Sequence, residues 1–114
     1  MVATSGWSES DRATLGVGSD SAVVFVPNFS VGSVLASKFA ALAAKHFDSI
    51  EIVETHHAGK VDSPSGTAIR TAELISESRH EAGLTQSLIP GVGQEARGQI
   101  VAGVPVHSMR ISGV

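Results

Sequence analysis

Residues 54–68, Glu-Thr-His-His-Ala-Gly-Lys-Val-Asp-Ser-Pro-Ser-Gly-Thr-Ala, constrain this chain more than any other stretch. They join an alternating, β-branched run at 50–55 to an amphipathic run at 68–81, and so predict a strand, a tight loop and a helix in that order. Ser65 stands where an N-cap belongs, Pro64 precedes it, and Gly66 lets the backbone approach a ligand closely. The first helical turn carries no acidic side chain, which leaves its amides and the positive helix end to an outside anion. His56, His57 and Lys60 bring proton donors and positive charge to the same loop. The residues therefore describe a site for a carboxylate- or phosphate-bearing small molecule with proton donors beside it.

The individual side chains divide by chemistry. If the strand extends through the two histidines, their rings point to opposite sheet faces. A chelate from both is then awkward, no third ligand is obviously spaced for a tetrahedral site, and no metal is expected. A zinc hydrolase built on His56, His57 and His107 is the rival this disfavours. A lone histidine is more often a satisfied core residue; two, followed by Lys60 and a helix start, favour function. Glu54 is expected to orient an imidazole and Asp62 to brace the loop, in the manner of carboxylates behind a ligand shell. Ser65 is expected to be a cap rather than a nucleophile, since the strained glycine-flanked elbow is missing. Arg110 is either a second anion contact or an exposed strand charge. His46 reads as a helix-end charge or a core edge, and Asn28 and Ser30 as turn residues.

Around this stretch the chain, 114 residues with 42 % apolar and 17 % charged residues, fits one modest domain with a core. A net charge of −3 gives no general reason to bind nucleic acid, and the absence of cysteine removes disulfides and thiolate metal sites. No apolar run approaches the roughly 20 residues of a membrane helix. Residues 1–3 read as a strand end and 4–7 as a loop. Ser8 and Asp11 fit a capping box for a short helix through about Leu15, ended by Gly16 and Gly18. The continuous apolar run 22–26 predicts a strand covered on both faces, giving a βαβ piece of a parallel sheet. Residues 33–47 predict a helix whose apolar face carries Leu35, Phe39, Leu42 and His46. After the second helix, closed by Gly83, the glycine-rich residues 86–103 read as a loop, and 104–111 as a strand with Pro105 near its start. Neither terminus tapers into polar residues, so the chain is expected to be a fragment.

Residues 54–68 resemble the motif of the 4-hydroxy-tetrahydrodipicolinate (dihydrodipicolinate) reductase family, Glu-x-His-His-x-x-Lys-x-Asp-Ala-Pro-Ser-Gly-Thr-Ala, with Ser63 replacing the usual alanine. Three further stretches agree in order. Residues 2–7, Val-Ala-Thr-Ser-Gly-Trp, are similar to its Val-Gly-Thr-Thr-Gly-Phe/Trp; residues 26–32 to its Ala-Pro-Asn-Phe-Ser-x-Gly; and residues 106–110 to its Val-His-Ser-x-Arg.

The resemblance implies an α+β fold: a mixed-sheet substrate-binding and oligomerising domain over residues 31–114, truncated, preceded in residues 1–30 by the tail and hinge of a Rossmann-type α/β domain. It implies reduction of a cyclic dicarboxylate in lysine and diaminopimelate biosynthesis by NADPH or NADH, in a cytoplasmic homotetramer with neither nucleic-acid nor membrane partners. His56 would be the acid and Lys60 a donor. His57, Gly66 and Thr67 would hold substrate, and Thr4, Gly6, Asn28 and Phe29 would lie against the cofactor. Two departures bear on this. The glycine-rich pyrophosphate fingerprint is absent from the sequence, and Ala3 and Ser5 alter the retained cofactor loop. Weak cofactor binding is thus expected, and a non-catalytic dicarboxylate-binding or oligomerising fragment is the alternative.

Overall fold

The computed structural model describes residues 8–15, 23–26, 28–85 and 93–113. Its first element, α1 (Glu9–Leu15), starts at the expected capping box: the Ser8 amide donates to Asp11 Oδ2 at 2.9 Å and the Asp11 amide to Ser8 Oγ at 3.1 Å. The strand and loop expected at 1–7, and the glycines at 16 and 18, lie outside the described residues. The strand expected at 22–26 does not form there. Among the described residues of that run only Phe25 makes a single bridge, and Val24 is 55 % exposed. An apolar run becomes a doubly covered strand only where ladders flank it, and the sheet recruits none of these residues.

Helix α2 (Val31–Ala43) starts two residues before the sequence predicts, because Ser30 is its N-cap and accepts from the Ser33 amide at 3.3 Å. Asn28 fixes that cap, accepting from the Ser30 amide and donating to Ser33 Oγ, each at 2.8 Å. A 3₁₀ turn (Ala44–His46) completes the expected helical stretch. The face that packs is not the expected one. Leu35, Phe39 and Leu42 are exposed, whereas Ser37, Ala40 and Ala41 turn inward. The small face wins because it lets α2 approach α3 (Gly66–Glu81) closely enough for side-chain hydrogen bonds: Ser37 Oγ to Thr71 Oγ1 at 2.8 Å, and Ser78 Oγ to the Ala41 carbonyl at 2.7 Å.

The sheet is three-stranded and mixed, in the order β1-β3-β2. Strand β1 (Ile52–His57) runs parallel to β3 (Val104–Ile111), the crossover being α3. Strand β2 (Gln99–Val101) pairs antiparallel with β3 inside the region expected to be loop. Ala102 and Gly103, at φ +48° and +83°, make the tight hairpin turn; an Ala-Gly pair is a weaker written signal for it than Asn-Gly. Pro105 is tolerated in the central strand because its ladder with β1 starts only at Val106.

One sheet face is covered by α3, whose buried stripe is Ala68, Ala72, Ile75 and Arg79. These apolar residues join Ala44, Val104 and Val106 in a small core. Burying Ile75 or Val106 there contributes about 1.5–3 kcal/mol each. The opposite sheet face, with Val53, Met109 and Ile111, is uncovered.

Candidate functional site

Strand β1 continues through both histidines, so the expected parity holds. Glu54 and His56 share the half-buried face, and Thr55 and His57 the exposed one. On the covered face the Glu54 carboxylate, with its side chain only 9 % exposed, organises its surroundings. Oε2 pairs with His56 Nδ1 at 2.5 Å and accepts from Arg110 Nη1 at 3.1 Å. Oε1 accepts from Arg110 Nη2 at 3.0 Å and from the Ser65 amide at 3.2 Å. The Ser108 hydroxyl, opposite Glu54 on β3, lies beside the carboxylate without closing a full hydrogen bond. Burial pushes the Glu54 carboxyl up, but Arg110, Ser108, His56 and the Ser65 amide together outweigh it and hold it at about 2. An ionised carboxylate at Nδ1 makes that nitrogen the protonated one and leaves Nε2 for other chemistry.

The loop after β1 is pinned at several points. The Lys60 amide bonds to the His57 carbonyl at 3.1 Å, and Lys60 Nζ pairs with Asp62 Oδ1 at 2.7 Å. That hydrogen bond holds the Asp62 carboxyl below its usual range. Arg110 Nη2 reaches across to the Asp62 carbonyl at 2.6 Å.

At the start of α3 the amides can be accounted for one by one. Ser65 is buried, its amide is taken by Glu54, and its hydroxyl accepts from the Ala68 amide at 3.2 Å. The Ile69 amide bonds to the Ser65 carbonyl. Among the described residues nothing accepts from Gly66 or Thr67, and the first turn holds no acidic side chain. Gly66 and Thr67 line a cavity of about 270 Å³ between the starts of α2 and α3, with Val34 and Leu74 as apolar walls and Asn28, Ser33, Lys38 and Arg70 beside them. Two amides and the Lys38 side chain around one cavity can receive an anionic group, Arg70 being already paired with Glu73 and Glu77.

The structure thus gathers Gly66, Thr67 and Asn28 on one cavity and sets His56 beside the same helix start through Glu54. His57 stands on the other sheet face over the Ala58-Gly59 turn, and Phe29 is exposed. Thr4 and Gly6 lie outside the described residues. Glu54 and Asp62 hold the imidazole and the loop as expected. Arg110 is not the exposed strand charge that was one of its two expected roles: it is half-buried, with its fork on Glu54 and the Asp62 carbonyl. His107 belongs to another cluster, with Nε2 2.8 Å from Glu51 Oε2 while Arg97 Nη2 holds Oε1 at 3.1 Å. It faces away from His56, and no metal-like group of three ligands occurs among the described residues. The zinc constellation therefore does not assemble there.

Comparison with known proteins agrees with this geometry. The family model described as "Dihydrodipicolinate reductase, C-terminus" matches residues 32–114. The 4-hydroxy-tetrahydrodipicolinate reductase of Clavibacter sepedonicus is 55 % identical over 122 residues, covering all of this chain and 42 % of that protein. The enzyme of the same name from Streptomyces coelicolor is 45 % identical over 124 residues, again across the whole chain and 48 % of the relative. Among solved structures, a dipicolinate-bound dihydrodipicolinate reductase from Paenisporosarcina sp. TG-14 superposes with a TM-score of 0.66 at 43 % identity, over 78 % of this chain and 34 % of that one. The chain spans less than half the length of these relatives. By its motif, its mixed sheet and these matches, the chain belongs to the dihydrodipicolinate reductase family and carries the C-terminal part of it.

Proposed function

We propose that this chain supplies the substrate site and proton donors for NAD(P)H-dependent reduction of 4-hydroxy-tetrahydrodipicolinate, in diaminopimelate and lysine biosynthesis in the cytoplasm. The observation that carries the reading is the Glu54 carboxylate, which holds an imidazole on one oxygen and the start of an anion-receptive helix on the other. The names of the relatives, and dipicolinate in the related solved structure, support a cyclic dicarboxylate as the ligand.

In this reading the Gly66 and Thr67 amides receive a substrate carboxylate, with His57 and Lys60 as further substrate contacts. As an imidazolium, His56 would give up the proton on Nε2, because Nδ1 is engaged with Glu54. Lys60, held against Asp62, is the second donor. In the same reading residues 1–30 are the tail and hinge of a cofactor domain and residues 31–114 the substrate domain. The uncovered sheet face with Val53, Met109 and Ile111 supports self-association, as in a homo-oligomer.

A nicotinamide cofactor, when bound, supplies the hydride. The described residues do not themselves make a cradle for it: Asn28 is closed on Ser30 and Ser33, Phe29 offers only an exposed ring, and no pyrophosphate fingerprint occurs in the sequence. That mismatch favours, as a second reading, a dicarboxylate-binding piece without catalysis of its own.

Titration calorimetry with pyridine-2,6-dicarboxylate tests the site. Wild type is expected to bind, and Lys60→Ala and Thr67→Val are each expected to weaken binding by about 1–3 kcal/mol, the scale of one charged or buried hydrogen bond. A folded wild type that binds none would overturn the reading.

A further inference from the structure

We infer that Arg110 is a positioning residue, fixing the His56 imidazole through Glu54 and the Lys60-bearing loop through the Asp62 carbonyl. The inference rests on the reduction site proposed above and adds to it a residue whose guanidinium acts through Glu54 and the Asp62 carbonyl. The Arg110 side chain touches both branches of the donor set. Its Nη1 and Nη2 each take one oxygen of Glu54, at 3.1 and 3.0 Å, and Nη2 also reaches the Asp62 carbonyl at 2.6 Å. With both oxygens located, the carboxylate plane is fixed and a single oxygen edge faces His56 Nδ1.

The position of the guanidinium is in turn fixed by the sheet. Arg110 is the ladder partner of His56 on β3, and its Nη1 is anchored at the Met109 carbonyl at 2.8 Å. The donors are therefore referenced to a strand rather than to a loop. The bland alternative is an ion pair that matters only for folding. Fork geometry separates the two, because lysine retains the charge but cannot occupy both carboxylate oxygens and the carbonyl together.

The test reads the His56 tautomer directly, in the full chain and without ligand, from long-range ¹⁵N–¹H spectra at a pH where the ring is neutral. Wild type is expected to show a protonated Nδ1 and a bare Nε2. Arg110→Lys is expected to give a mixture of tautomers and about tenfold weaker pyridine-2,6-dicarboxylate binding, while its circular dichroism stays native. Arg110→Gln, which keeps Glu54, remains readable if Arg110→Lys fails to fold and is expected to lose the pure Nδ1–H tautomer as well. A wild-type tautomer in either folded variant would overturn the inference. Wild type that binds no dicarboxylate while Arg110→Lys still scrambles the tautomer would end the reduction reading and leave the positioning geometry in place.

Discussion

Glu54→Ala is expected to cost about 3–5 kcal/mol of folding stability, the range for removing one member of a buried ion pair. The size follows from what is left behind. Arg110 would keep its charge in a half-buried position with two carbonyls and the more distant Asp62 carboxylate to face, and His56 and the Ser65 amide would each lose an acceptor. Urea unfolding of the variant beside wild type measures it, and a loss below about 1 kcal/mol would mean the carboxylate is solvated in solution and organises nothing. In a double-mutant cycle, adding Arg110→Met to Glu54→Gln is expected to cost much less than the sum of the two changes, because the partners leave together.

The same group sets a pH dependence. Its folded value of about 2 lies below its ordinary 4.5, so its contribution is complete above about pH 4.5 and is lost as pH falls through 2. The depression corresponds to on the order of 3 kcal/mol. Midpoints of wild type and Glu54→Gln measured from pH 6 down to pH 2 should therefore converge as the wild-type carboxylate takes up its proton.

Arg79→Met is the second large effect, expected at about 3 kcal/mol or more, since a hydrogen bond from a charged donor contributes roughly 1.5–3 kcal/mol. Arg79 is 4 % exposed and belongs to the buried stripe of α3. It donates to three carbonyls from separate parts of the chain: Ala44 at 2.8 Å, Phe47 at 2.5 Å and Thr85 at 3.1 Å. The first two lie where α2 and its 3₁₀ turn end, where free carbonyls and the negative helix end favour a cation. Methionine keeps the packing of the stem and abandons all three carbonyls. Lysine, with one ammonium, is expected to recover less than half of the loss in thermal unfolding; full recovery by lysine would show that charge alone matters there.

What could be read from the chain without coordinates was mostly local. Ser8 with Asp11, Ser65 before Gly66, and Gly83 after Glu81 are short-range chemistry, and the helix ends fall beside them. The parity of His56 and His57 followed from strand geometry once β1 reached them. What failed depended on partners distant in sequence. Leu35, Phe39 and Leu42 form a regular stripe, but the contact was decided by Ser37, Ala40 and Ala41, which let two helices approach. Arg110 could be seen to share a strand with His107; its pairing with Glu54 depends on the β1–β3 register. Arg79 was readable in principle, because it continues the spacing of Ala68, Ala72 and Ile75, where an apolar residue would ordinarily stand.

The start of α3 keeps two amides for a carboxylate while the neighbouring ones are already engaged. Following backbone ¹⁵N–¹H resonances during a pyridine-2,6-dicarboxylate titration tests it most directly. Gly66 and Thr67 are expected to move furthest, with Ser65 and Ala68 nearly still because Glu54 and the Ser65 hydroxyl hold them. Saturable shifts centred elsewhere, with Gly66 and Thr67 unmoved, would contradict the assignment of this helix start as the dicarboxylate site.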